Sequence, residues 1–263
     1  MSNVLIQYAV VLTSCGRFDL LRRTVESLLQ FADVRPAQFI IVEDSGDETV
    51  RDVLADIDYP FEIVVNRQRL GQNAAIDVGY VRVNTPFVFH CEDDWLFFRT
   101  GFVMESHALL QKFPKVSAVM LRGRDTVYKN HAARYEELNG IMFFRSLING
   151  DEITEGIGYN PGLRRMSDYQ RIAPIADIGG EGEVDTVFRR IGFYTAYLEI
   201  PAVVHLGWST RTQKKHRPKI FTHAYISYKV EKIMGRRRQR KQFERWWQLH
   251  GLRLQQIGDN DKS

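Results

Sequence analysis

Between residues 8 and 97, short β-branched runs alternate with stretches whose apolar residues recur at helical spacing. This alternation constrains the fold more than any other feature, because strands separated by helices pair most readily in parallel through crossover connections. It gives strands at 8–13, 39–42, 61–65 and 87–91. A helix from Asp19 carries Leu21, Val25, Leu28 and Leu29 on one face, a second carries Val50, Val53, Leu54 and Ile57, and a third covers 71–81. A helix at 98–113 and a strand at 116–121 extend the sheet. Alternation then fades until about residue 180, so 122–180 reads as an irregular insert. Beyond it, 183–191 reads as helix, 194–199 and 202–206 as extended, and a helical tail starts near Thr222.

Three of the strands end in polar clusters: Thr13-Ser14-Cys15-Gly16-Arg17, Glu43-Asp44-Ser45-Gly46-Asp47 and Glu92-Asp93-Asp94-Trp95. In open parallel sheets ligands bind outside the carboxyl ends of strands, where loops and helix N-termini converge. Three adjacent acids repel one another, and a cation resolves that repulsion. Magnesium or manganese takes oxygen ligands and binds through one or two carboxylates together with substrate phosphates. The alternative for the same residues is a solvated acidic turn.

Composition sets further bounds. The 263 residues can bury a sizeable core, and two scattered cysteines, Cys15 and Cys91, form neither a disulfide framework nor a cysteine-based zinc site. A reducing, cytoplasmic setting is the expectation. Residues 211–245 hold 13 Lys or Arg against two acids, although the net charge of the chain is only +4, so the remainder is net acidic. Such a basic segment suits a polyanion or an anionic surface.

The segments Val10-Val11-Leu12-Thr13-Ser14-Cys15-Gly16-Arg17, Ile41-Val42-Glu43-Asp44-Ser45-Gly46-Asp47, Gly71-Gln72-Asn73-Ala74-Ala75-Ile76-Asp77-Val78-Gly79 and Glu92-Asp93-Asp94 together resemble the inverting family-two glycosyltransferases. The resemblance runs over roughly 6–100 and returns more weakly between about 180 and 208. It implies a GT-A-type α/β fold: a Rossmann-like, mostly parallel sheet flanked by helices, with an acceptor-side insert and a basic helical C-terminal extension. The domain would span 1–210, with a nucleotide-binding half at about 1–100, the insert at 122–180 and an acceptor and metal segment at 180–210; the extension would be 211–263.

The resemblance also implies roles. Thr13, Arg17 and Asp44 would hold the nucleotide base, Gly71 and Asn73 would lie near the donor, and Glu92 and Asp93 would reach its ribose or sugar. Asp94 and His205 would bind Mn2+ or Mg2+. The family's Ala-Arg-Asn triplet is replaced by Ala75-Ile76-Asp77, which leaves Arg67 or Arg69 to supply the missing arginine. Inversion needs a base for the acceptor proton, and Glu181 matches the family's acidic motif best, with Glu183 and Asp185 as competitors. Acids there also suit a helix N-terminus without any catalysis.

The implied partners are a nucleotide-sugar donor, a UDP-sugar first among them, and a glycan or lipid-linked acceptor, in cell-surface glycan or glycolipid assembly. The basic tail, with Arg236, Arg237, Arg238, Arg240 and Lys241 beside Phe243, Trp246 and Trp247, reads as peripheral contact with the anionic inner face of the membrane, or as a solvated helix packed on the body. Nucleic acid comes third. The rival functions are a sugar-phosphate nucleotidyltransferase, whose usual glycine-rich phosphate loop is reduced here to Gly16, and a non-catalytic polyanion-binding protein on the same fold.

Overall fold

The computed structural model describes residues 6–126, 132–148, 152–153, 155–206 and 223–260. Its first half follows the expected alternation: β1 (Tyr8–Ser14), α1 (Phe18–Phe31), β2 (Gln38–Glu43), α2 (Val50–Leu54), β3 (Phe61–Val65), α3 (Gln72–Tyr80) and β4 (Phe87–Glu92). The helix placed from Asp19 begins one residue earlier, with Asp19 inside its first turn. A short strand absent from the sequence reading, β5 (Trp95–Phe97), then precedes α4 (Phe102–Lys112) and β6 (Val116–Met120).

The 122–180 segment is more regular than its sequence suggests. It forms a hairpin of β7 (Ala132–Leu138) and β8 (Ile141–Ile148), then β9 (Glu152–Ile153), β10 (Gly162–Arg165) and the short helix α5 (Met166–Gln170). Asn139 and Gly140 join β7 to β8, both at positive φ, as a two-residue hairpin turn requires. The chain continues through α6 (Glu181–Arg190), β11 (Tyr194–Leu198), β12 (Val203–His205) and α7 (His223–Asn260).

The large sheet runs β3-β2-β1-β4-β10-β6-β11-β8-β7, with β9 on β8. β1, β2, β3 and β4 are mutually parallel, as β6 is to β11. β10 enters antiparallel between β4 and β6. A Cβ on Gly162 would lie 2.4 Å from the Val119 carbonyl oxygen, so only glycine lets β10 pass there. The insert therefore contributes a strand to the middle of the sheet, and parallel pairing dominates only the β3–β4 half.

Period-two alternation divides the core. Val10, Leu12, Phe39 and Ile41 pack with Leu21, Val25 and Leu28 of α1 and with α4, whereas Val11, Ile40 and Val42 pack under Ala75, Ile76 and Tyr80 of α3. Helices thus cover both faces. Gly79 lets α3 lie close to the sheet, because a Cβ there would sit 2.5 Å from a Val11 methyl. α7 docks on α6 and the 175–177 turn through Phe243 and Leu254, with the Arg190 guanidinium 4.6 Å from the Trp247 ring centre.

Candidate active site

Strand register brings the three polar clusters together. Ser14 lies opposite Glu43, and Thr13 lies between Val42 and Glu92, so the carboxyl ends of β1, β2 and β4 open on one side. Thr13 and Arg17 are half-buried there. The Arg17 guanidinium spans two acids: Nε donates to Asp93 Oδ2 at 3.1 Å, Nη1 to Asp94 Oδ2 at 2.6 Å, and Nη2 to Asp93 Oδ1. Asp93, almost fully buried, also accepts from the Ser14 hydroxyl at 3.1 Å, while its carbonyl accepts from Thr24 Oγ1. Arginine suits this place because its planar fork can satisfy two carboxylates at once.

The second acidic loop is bonded differently. Glu43 Oε1 accepts from the Gly16 and Ser45 amides. Asp44 accepts from Asn66 Nδ2 and the Leu70 and Gly71 amides, each at 2.8 Å. These bonds hold the 66–71 loop, whose last residue, Gly71, sits at φ +91 at the head of α3. The same loop carries Arg67 and Arg69, both exposed, and the charge of Arg69 reaches the Cys15 thiol.

Asn73 and Asp77 face the other way along α3. Asn73 Nδ2 donates to the Gly179 carbonyl at 2.9 Å. Asp77 accepts from the Tyr169 hydroxyl and the Ile175 and Ala176 amides. The two residues fasten the 175–179 turn that leads into α6, while Ile76 is buried in the core. Where the family has arginine and asparagine, this chain has one core residue and one loop tether.

His205 reaches the acids through a pairing that no local pattern announces. β12 runs antiparallel to β5 with His205 opposite Trp95, and the Leu206 amide donates to the Asp94 carbonyl at 2.7 Å. This places His205 Nε2 3.5 Å from Asp94 Oδ2, with the imidazole edge-on to the Trp95 ring at 4.7 Å. Asp94 is 5% exposed, and its Oδ1 is buried without a hydrogen-bond partner among the described residues.

At α6 the three candidate bases separate. Glu183 Oε2 accepts from the Gly180 amide at 2.9 Å, the carboxylate half of a capping box whose other half a glycine cannot make. Asp185 accepts from the Gly156 amide at 2.6 Å and from Arg189. Glu181 spends one oxygen on the Tyr159 amide at 2.9 Å; the residue as a whole is exposed at the head of α6 while its carboxyl group is drawn in among its neighbours, and its charge acts on Glu92.

A profile of glycosyl transferase family 2 matches residues 9–171, more than half of the chain. The chain belongs to that family. Among solved structures it is similar to GalNAc-T7 with UDP, GalNAc and Mn2+, at 13% identity and TM-score 0.55, over 77% of this chain and 44% of that one. It is also similar to the mannosyltransferase PcManGT from Pyrobaculum calidifontis in complex with GDP-Man and Mn2+, at 12% identity and TM-score 0.54, over 78% and 58%. A third similarity is to S. aureus TarS 1-349, at 14% identity and TM-score 0.52, over 75% and 59%. At these identities the likeness establishes the GT-A-like fold, and the chain spans 44–59% of the lengths of those proteins. No curated protein sequence matches it.

Within this family-two domain, the acids outnumber the one arginine that meets them. Burial, with Asp94, Glu181 and Asp93 adding to it, pushes the Glu92 carboxyl up to about 8. Burial raises Asp93 to about 6 against the opposing pull of Arg17. Glu181 is also raised, mainly by burial. Ionising all of these acids together is thus unfavourable, a cost that a divalent cation relieves.

The donor set fits such an ion: one carboxylate with an orphaned buried oxygen and one imidazole beside it. Among the described residues no third His, Cys, Asp or Glu completes a metal cage, so the remaining ligands would come from diphosphate and water. Two site residues escaped the sequence reading. Arg122 follows β6, stands 5.5 Å from the Trp95 ring centre and acts on Glu181. Glu155 accepts from the Tyr197 hydroxyl. The strand-end rule could have found Arg122; no local signal marks Glu155.

Proposed function

We propose that this chain is a metal-dependent, inverting glycosyltransferase that moves a sugar from a nucleoside-diphosphate donor to a hydroxyl of a glycan or lipid-linked acceptor. The observation that carries the reading is the meeting of Asp94 and His205 at the carboxyl ends of the parallel strands, across from Glu181. Two of the similar proteins, GalNAc-T7 and PcManGT, hold a nucleotide or nucleotide sugar with Mn2+, which supports a nucleotide-sugar donor and manganese or magnesium here.

Thr13, Arg17 and Asp44 receive the nucleotide. Among the described residues Asp44 Oδ2 accepts one bond, from the Gly71 amide, which leaves an acceptor site for the imide N–H of uracil. Glu92 and Asp93 lie toward the ribose and donor sugar, and Arg69 supplies the positive charge that Ile76 does not. Asp94 and His205 would hold the metal, whose charge would stabilise the departing diphosphate. As the acceptor oxygen attacks the anomeric carbon, its proton passes to Glu181 and the bond to the diphosphate oxygen breaks, inverting the centre. Burial keeps Glu181 basic enough for that transfer. The free thiols of Cys15 and Cys91 support a cytoplasmic setting.

Calorimetric titration of uridine, guanosine and thymidine diphosphates, with and without manganese, tests the proposal on the natural chain and on Asp94→Ala. Manganese-dependent binding of one nucleotide, lost in Asp94→Ala, is the expected result. No binding of any nucleotide overturns it, and release of pyrophosphate from a nucleoside triphosphate and a sugar phosphate would make the chain a nucleotidyltransferase.

A further inference from the structure

Phe243, Trp246 and Trp247 of α7 are spent on the body, which leaves the opposite side of that stretch open. Phe243 and Leu254 are buried, and Trp246 and Trp247 pack against the same core. At about 100° per residue, Arg238, Lys241, Arg245, Leu249 and Leu252 fall on one stripe facing away from that contact. All five are exposed, and Leu249 and Leu252 are 80% and 78% exposed. Leu249 and Leu252 lie three residues apart on this stripe, so an apolar pair sits directly beside three cations on one exposed face.

We infer that this stripe docks α7 flat on an anionic lipid surface, with Arg238, Lys241 and Arg245 among the headgroups and Leu249 and Leu252 at the acyl boundary. The stripe has the two parts that interfacial binding needs: basic charge for the headgroups and apolar area for insertion. Among the described residues no ion pair takes up Arg238, Lys241 or Arg245, whereas Arg240 is paired with Glu244. A groove of about 490 Å³ runs between the stripe and the 175–177 turn, lined by Arg238, Lys241, Arg245 and Trp246, with Asp177 as its one carboxylate. It offers a phosphate headgroup three cations and an aromatic wall. No helix among the described residues is long and apolar enough to cross a membrane, so this contact is peripheral. A nucleic acid would use the cations and leave the two leucines in water, which favours lipid.

Co-sedimentation of the full chain with phosphatidylglycerol-rich and with pure phosphatidylcholine vesicles tests this without any use of catalysis. The expected results are retention only on the anionic vesicles, weakening as salt is raised, and a loss on the order of 100-fold in the triple variant R238E/K241E/R245E, taking each basic residue as worth about fivefold. Leu249→Ser with Leu252→Ser should lose roughly tenfold, while R236E/R240E, on the other side of the helix, should lose much less. Circular dichroism checks that each variant is folded, and the salt dependence of the natural chain stands even if one is not. The inference is overturned by absence of retention at low salt, by equal losses in the two charge-reversal variants, or by retention on DNA or RNA alone.

Discussion

The two acidic loops that flank β1 differ in what balances their charge. At the end of β2, Glu43 and Asp44 are surrounded by backbone amides and by Asn66, groups that the fold holds in place. At the end of β4, Asp93 and Asp94 are balanced by one arginine side chain and a histidine; one buried oxygen of Asp94, like Glu43 Oε2, has no hydrogen-bond partner among the described residues. An acid fixed by amides supports a loop, and exchanging its partners would cost the fold. An acid held by a side chain can exchange that partner for a ligand of the same sign of charge, such as a divalent cation, without moving the backbone. Similar sequences at the ends of neighbouring strands are thus divided between scaffold and chemistry.

Asp94→Asn tests that division most severely. Transfer activity should fall by about 10³-fold or more, several kcal/mol of transition-state stabilisation, while the midpoint of thermal unfolding stays within a few degrees. A large fall in unfolding temperature with activity retained would invert the comparison. Glu181→Gln comes next: kcat should fall by about 10³-fold, with donor binding unchanged by calorimetry. If Glu183→Gln instead removes activity in a fully folded protein, the base has been misassigned.

On the scaffold side, Asp44→Ala leaves Asn66 and two backbone amides without their acceptor. Chemical denaturation should show a loss of roughly 3 kcal/mol. Nucleotide binding should weaken with it, because Asp44 serves both the loop and the base; an unchanged denaturation midpoint would mean that it tethers nothing.

The smallest effect concerns Glu155. Burial, with Asp185 and Glu181 nearby, raises its carboxyl to about 7 from an ordinary 4.5, against the Tyr197 hydrogen bond and Arg122. The folded protein therefore favours the neutral form, whose stabilising contribution is complete below pH 4.5 and is lost as pH rises through about 7. Glu155→Gln should be more stable than the natural chain by roughly 2 kcal/mol at pH 8 and no more stable at pH 4.5. Equal unfolding temperatures at pH 8 would remove Glu155 from the charged cluster.

How much of this was legible differs between the halves. β3 was readable to the residue at 61–65, and β1, β2 and β4 nearly so, because each is a short β-branched run bounded by turn residues. β10 was not. Gly-Leu-Arg-Arg at 162–165 has no strand-like pattern, and its place between β4 and β6 rests on Arg164 finding carbonyl oxygens of Gly158 and Asn160 and on Gly162 clearing Val119. β5 was missed because Trp95-Leu96-Phe97 looks like the approach to a helix until β12 pairs with it.

The sequence by itself determined the alternating α/β architecture, the parallel first half and the placing of the acids at strand ends, since these follow from periodicity and turn chemistry within a few residues. Only the tertiary structure decided which acids are occupied. Asp44, Glu183 and Asp185 are taken by amides, Asp94 meets a histidine more than a hundred residues away, and Glu181 gives one oxygen to an amide while its charge acts on Glu92. Hydrogen-bond saturation and long-range strand pairing depend on contacts between segments far apart in the chain, and no local pattern encodes them.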